Sequence, residues 1–128
     1  MTAIFPYIKR EGQFYPVIDL MLKGKSTSLE VNALVDSGAS ISVFDAEIAE
    51  YLDIDIEKGK RIYLEGIGGR ILGYIHYVYF IVDQKKFRCK IVFSWEFTAA
   101  FNLIGRDNFF KHFLITFDEK NKRTVLKS

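Results

Sequence analysis

The sequence predicts an all-β domain, and three observations carry that prediction. Aromatic residues make up 16% of the 128 residues and stand beside many β-branched ones, the composition that suits a pleated, half-buried surface. Apolar and polar residues alternate with period two in several runs, and glycine recurs between those runs where turns are needed. A chain of this length is one domain, 1–128, able to bury a single core without disulfides or metal.

The elements follow in order. "FYPVIDLMLKG" and "SLEVNALVD" read as two strands joined through Gly24 to Ser28. In the second, Leu29, Val31, Ala33 and Val35 share one face, so the strand runs straight into Asp36. After "DSG", "SISVF" reads as a further short strand. "DAEIAEYL" reads as a helix of about two turns that ends near Leu52, with Asp45 as its N-cap and Glu47 in the first turn. "KRIYLEGIGGRILGYIHYVYFIVD" gives two strands around the tip Gly66, Ile67, Gly68 and Gly69, a hairpin richer in glycine than a tight turn requires. "KFRCKIVF" sets Phe87, Cys89, Ile91 and Phe93 on one face. "FNLIGRDNFFKHF" reads as a buried strand, a glycine turn and a short helix whose phenylalanines reach the core, and "LITFDEKNKRTVLK" closes the chain as a hairpin.

Composition also narrows function. The net charge is only +2, with basic residues in small groups that flank turns, so a solvated surface and no nucleic-acid partner are expected. The start "MTAIFPYIKR" lacks the apolar core of a leader, and the most apolar segment, 71–82, is too short to span a membrane as a helix. With one cysteine, no internal disulfide is possible, and a reducing, cytoplasmic setting without a membrane partner is expected.

Few residues are candidates for chemistry. His76, His112 and Cys89 lie far apart at no ligand-like spacing, so neither a metal nor another cofactor is expected. Cys89 shares its face with Phe87 and Ile91, which argues for an inert, buried thiol. No Gly-x-Ser-x-Gly string surrounds Ser37 or Ser40, and "GIGG" lacks the Lys-Ser/Thr of a phosphate loop. There remains Asp36, at the end of an apolar strand. Asp-Ser-Gly alone suits an ordinary turn, and a generic β-barrel with a turn aspartate is the plainest alternative.

The ordered set "ALVDSGAS", "GIGG" and "NLIGRD" resembles three signatures of the retropepsin-like aspartic proteases, single-domain relatives of pepsin, and the resemblance runs from about Tyr15 to Phe113. It implies an acid-protease barrel with a short helix after the active loop and a short C-terminal helix. It also implies an aspartic endopeptidase that cuts extended peptide or protein segments with hydrophobic residues at the scissile bond. Asp36 would be catalytic, with Ser37, Gly38 and Ala39 supporting its loop. Because only one such triplet occurs, two copies would meet as a homodimer and share a water between two Asp36 carboxylates.

By the same resemblance, Gly66, Ile67, Gly68 and Gly69 form a flap over the peptide, and Gly105 and Arg106 form a structural turn beneath the active loop. Ala39 places an apolar group beside the carboxylate, which implies activity from mildly acidic to near-neutral pH. Ser40 and Ile41 stand where many relatives carry an acid, so Arg106 is expected to pair elsewhere, with Asp107 or an acid of the tail. The alternative within the same fold is a catalytically weak or inactive dimeric peptide-binding or scaffold module.

Overall fold

The computed structural model describes residues 1–66 and 69–128. Twelve strands are described: β1 (Thr2–Pro6), β2 (Ile8–Arg10), β3 (Gln13–Tyr15), β4 (Val17–Lys23), β5 (Ser28–Val35), β6 (Val43–Asp45), β7 (Lys60–Gly66), β8 (Gly69–Val82), β9 (Lys85–Ser94), β10 (Asn102–Ile104), β11 (Leu114–Asp118) and β12 (Arg123–Lys127). The helix α1 (Ala46–Tyr51) follows β6, and single 3-10 turns cover Ile56–Lys58 and Phe110–His112.

Seven strands form one sheet in the order β4-β5-β10-β6-β9-β8-β7, and a further pairing of β4 with β8 closes it on itself. That pairing covers the edge of β4 over Met21–Lys23, while β7 keeps β8 as its one neighbour among the described residues. Most neighbours are antiparallel, but β10 runs parallel to β5, with Ile104 opposite Val35, and β6 runs parallel to β9, with Asp45 opposite Ser94. A second sheet, β1-β12-β11, pairs the two ends of the chain, and β2 with β3 forms a short hairpin.

The alternation read from the sequence fills the interior. Ala33 and Val35 of β5, Phe87, Cys89, Ile91 and Phe93 of β9, and Phe44, Phe80, Phe109 and Leu126 are buried. Phe80 contacts the rings of Phe44, Phe87 and Phe109 with centroids 5.9 to 6.2 Å apart, tilted arrangements that such rings prefer. Helix α1 begins where expected, because Asp45 Oδ1 accepts the amide of Glu47 at 2.9 Å.

Three local expectations change. The run read as one strand from Phe14 breaks at Pro16, which has no amide for a ladder, and its carbonyl instead accepts the amide of Val35 at 3.0 Å. The strand expected at Ser40–Phe44 contracts to Val43–Asp45, because the backbone of Ser40 and the hydroxyl of Ser42 bond to the segment after β10. The short C-terminal helix is the 3-10 turn at Phe110–His112, with both the Phe109 and Phe110 amides directed at the carbonyl of Arg106.

Candidate active site

The strand β5 ends at Val35 and delivers Asp36 just beyond the point where it and its parallel neighbour β10 stop together. Its amide donates to the carbonyl of Ile104 at 2.9 Å, which continues the parallel β5–β10 pairing by one residue. The side chain is half-buried. Its Oδ1 accepts the amide of Gly38 at 2.9 Å, and its carbonyl accepts the amide of Ala39 at 3.2 Å. The carboxylate is therefore held by its own loop, and Oδ2 has no protein partner among the described residues.

A second segment grips that loop from behind. The Ala39 carbonyl accepts from Arg106 N at 3.0 Å, and the Ser40 carbonyl from Asp107 N at 2.9 Å. Gly105 lies flat against Ile41, where an added Cβ would stand 2.5 to 2.6 Å from three backbone atoms. Only glycine fits such an approach. Its amide donates to Ser42 Oγ at 3.1 Å inside the protein, so the buried hydroxyl and the buried N–H satisfy each other.

In front of the carboxylate is a shallow depression of about 310 Å³, walled by Tyr15, Leu34, Ser37 and Phe117. It is mostly apolar with one acid at its edge, a combination suited to side chains of a peptide rather than to a free anion. The larger groove, about 730 Å³, lies elsewhere, between the β4–β5 turn and β8, and contains none of these residues.

The structure thus brings Asp36, Ser37, Gly38, Ala39, Gly105 and Arg106 into one neighbourhood. Ser37 and Gly38 are exposed on its outer side. The expectation that Arg106 pairs with Asp107 or a tail acid does not hold within the chain. Asp107 faces Lys90 instead, Oδ2 to Nζ 3.5 Å, and the guanidinium of Arg106 is exposed with no ion pair among the described residues. The β7–β8 hairpin forms as a ribbon in which Gly66 pairs with Gly69 and Gly69 has φ +110°. Ile67 and Gly68 lie outside the described residues. Sequence reasoning missed Ser42, Tyr15 and Phe117. A hydroxyl within an otherwise apolar run was the one available sign of Ser42.

A model of the family described as aspartyl protease matches residues 18–89, more than half of the chain, and includes Asp36 and the β7–β8 ribbon. The chain belongs to the aspartyl protease family. No curated protein matches it. Among solved structures, this aspartyl protease family member is similar to a retropepsin-like aspartic protease from Rickettsia conorii, at 18% identity and TM-score 0.65, over 98% of this chain and 92% of that one. It is also similar to the EIAV protease complexed with the inhibitor HBY-793, at 16% identity and TM-score 0.58, over 77% of this chain and 88% of that one. At such identities the likeness is one of fold, and the all-β fold is retropepsin-like.

Proposed function

We propose that the chain is an aspartic endopeptidase that works as a pair of identical copies, each contributing Asp36. The observation that carries this reading is the Asp36 carboxylate itself, fixed at 2.9 Å by the Gly38 amide, half-exposed, and set beside an apolar depression. Peptide hydrolysis by carboxylates needs one ionised group to take a proton from water and one protonated group to polarise the scissile carbonyl. One chain holds a single Asp-Ser-Gly. A two-fold pair supplies the second acid and, because like charges at close range do not both ionise, splits their protonation.

In that pair, Ser37 and Gly38, both exposed, face the partner loop, and Arg106 is available to an acid of the partner. Tyr15, Leu34 and Phe117 receive apolar side chains near the scissile bond of an extended peptide, and the β7–β8 ribbon closes over it as a flap.

The test is cleavage of a diverse peptide library from about pH 3 to 8 by the wild-type protein and by Asp36→Asn, with mass in solution recorded. Inhibition by a pepstatin-type compound and by HBY-793, the ligand of the EIAV relative, is measured alongside. Cleavage that disappears in Asp36→Asn while the dimer persists is the expected result. A well-folded dimer that cuts nothing at any pH overturns the enzyme reading in favour of a peptide-binding module, and a persistent monomer overturns the shared site.

A further inference from the structure

The ladder between β8 and β9 ends at Tyr74 opposite Phe93. In the same register, two residues further on, the next hydrogen-bonded pair would set Leu72 against Trp95, whose backbone would take the amide and carbonyl of Leu72. The chain does not continue as a strand there; it turns at Trp95 and Glu96. Both backbone groups of Leu72 are nevertheless bonded, by side chains. Ser94 Oγ donates to the Leu72 carbonyl at 2.6 Å, and Glu96 Oε1 accepts the Leu72 amide at 3.0 Å. The Glu96 amide donates in turn to Ser94 Oγ at 3.1 Å, which closes the motif.

Each part of this arrangement is placed by something else. Ser94 is 1% exposed and lies opposite Asp45 in the parallel β6–β9 pair, so the end of β9 that carries its hydroxyl is fixed against β6, the strand that follows the Asp36 loop. Gly73, next to Leu72, packs so closely on Val92 that a Cβ would overlap its Cγ1. Beyond Leu72 toward the tip, the ribbon pairs only with itself, from Tyr63 opposite Leu72 to Gly66 opposite Gly69. A two-stranded ribbon is marginal by itself and pivots where its third strand stops.

We infer that Ser94 and Glu96 form a latch that sets the pivot of the β7–β8 ribbon at Leu72, and that Glu96 is a positioning residue for peptide capture. The second half of the inference rests on the proteolytic reading; the latch itself does not. With the latch made, the ribbon swings as a unit from Leu72 outward. Without it, the pivot slides inward toward Gly73 and the ribbon samples orientations that do not cover a peptide.

The experiment is hydrogen exchange of the full chain, wild type beside Glu96→Ala and Glu96→Gln, with peptide cleavage measured on the same samples. Glu96 is exposed, so its removal spares the core. Loss of the charged acceptor in Glu96→Ala should speed exchange of the Leu72 amide about tenfold, while the amides of Val78 to Phe80 keep their protection. Glu96→Gln, which retains an acceptor oxygen, should restore most of it. Cleavage should show KM raised severalfold in Glu96→Ala with kcat changed less than about twofold. Unchanged exchange at Leu72, or equal acceleration throughout the sheet, overturns the latch. An altered Leu72 amide with unchanged KM overturns the role in capture. Wild-type protein that cuts no peptide counts against the proteolytic reading alone, and the exchange result still decides the latch.

Discussion

The amide of Gly105 and the hydroxyl of Ser42 meet at 3.1 Å across 63 positions of sequence, in a place closed to water. Removing the oxygen in Ser42→Ala leaves a buried N–H with no partner. Such a vacancy costs about 1–3 kcal/mol, so the unfolding free energy from urea titration should fall by that amount with a lower midpoint, and Ser42→Thr should recover most of it. A Ser42→Ala protein as stable as the wild type would show that the loop does not depend on this bond.

Gly105→Ala should destabilise at least as much. The new methyl would meet the Ile41 N, C and O atoms at 2.5 to 2.6 Å, and backbone on both sides cannot turn aside as a side chain can. Overpacking of this kind costs about 1–3 kcal/mol or more. Thermal unfolding measures the loss, and any peptide cleavage by the variant should fall with it, because the same segment holds Ala39 and Ser40.

Cys89 should be silent toward alkylating reagents. It is fully buried, and burial, with the charge of Asp107 as a smaller influence, pushes its thiol up to about 12. The thiolate is the reactive form. Iodoacetamide at about pH 8 should label native protein at least about a hundredfold more slowly than urea-unfolded protein. Rapid native labelling would mean that β9 opens far more readily than its packing implies.

His112 gives stability a pH dependence with a definite sign. Its ring lies 4.1 Å from that of Phe87, and burial, followed by the charges of Lys85 and Lys111, lowers its pKa below the ordinary 6.5. The unfolded chain then takes up the proton more readily than the folded one, so the contribution is complete above about pH 6.5 and is lost as pH falls through the lower folded value. The urea midpoint should drop across that window, and His112→Gln should flatten the drop. Asp118, lowered mainly by bonds from Asn121 and also by Arg123, acts in the same direction in a separate window below 3.8.

Much of the fold was legible where structure depends on neighbours in sequence. The face shared by Ala33 and Val35, the N-cap at Asp45 and the glycine hairpin are local patterns, and each formed. The elements missed depend on distant partners. Thr2–Pro6 becomes a strand because it pairs with Arg123–Lys127 at the other end of the chain, and nothing inside "TAIFP" announces that pairing. The alternation of β9 also fails at its end, where Val92 and Ser94 are buried along with Ile91 and Phe93. There Val92 packs against Gly73 and the Ser94 hydroxyl bonds the Leu72 carbonyl, so side chains of both parities are buried. For the site, Asp36 and Gly105 were readable from motifs. Phe117 was not, because only the final hairpin carries it to the depression.

The parallel pairing of β5 with β10 also bears on the order of events during synthesis. The loop that presents Asp36 is bonded through its own amide to Ile104 and through Ala39 to Arg106. Neither partner exists when the ribosome has made only the first half of the chain. Contacts of such sequence separation form late, after loop closure has been achieved. A nascent chain that has already folded β4 against β5 therefore carries Asp36 on an unfinished loop, which gains its supporting bonds only when the last quarter has emerged.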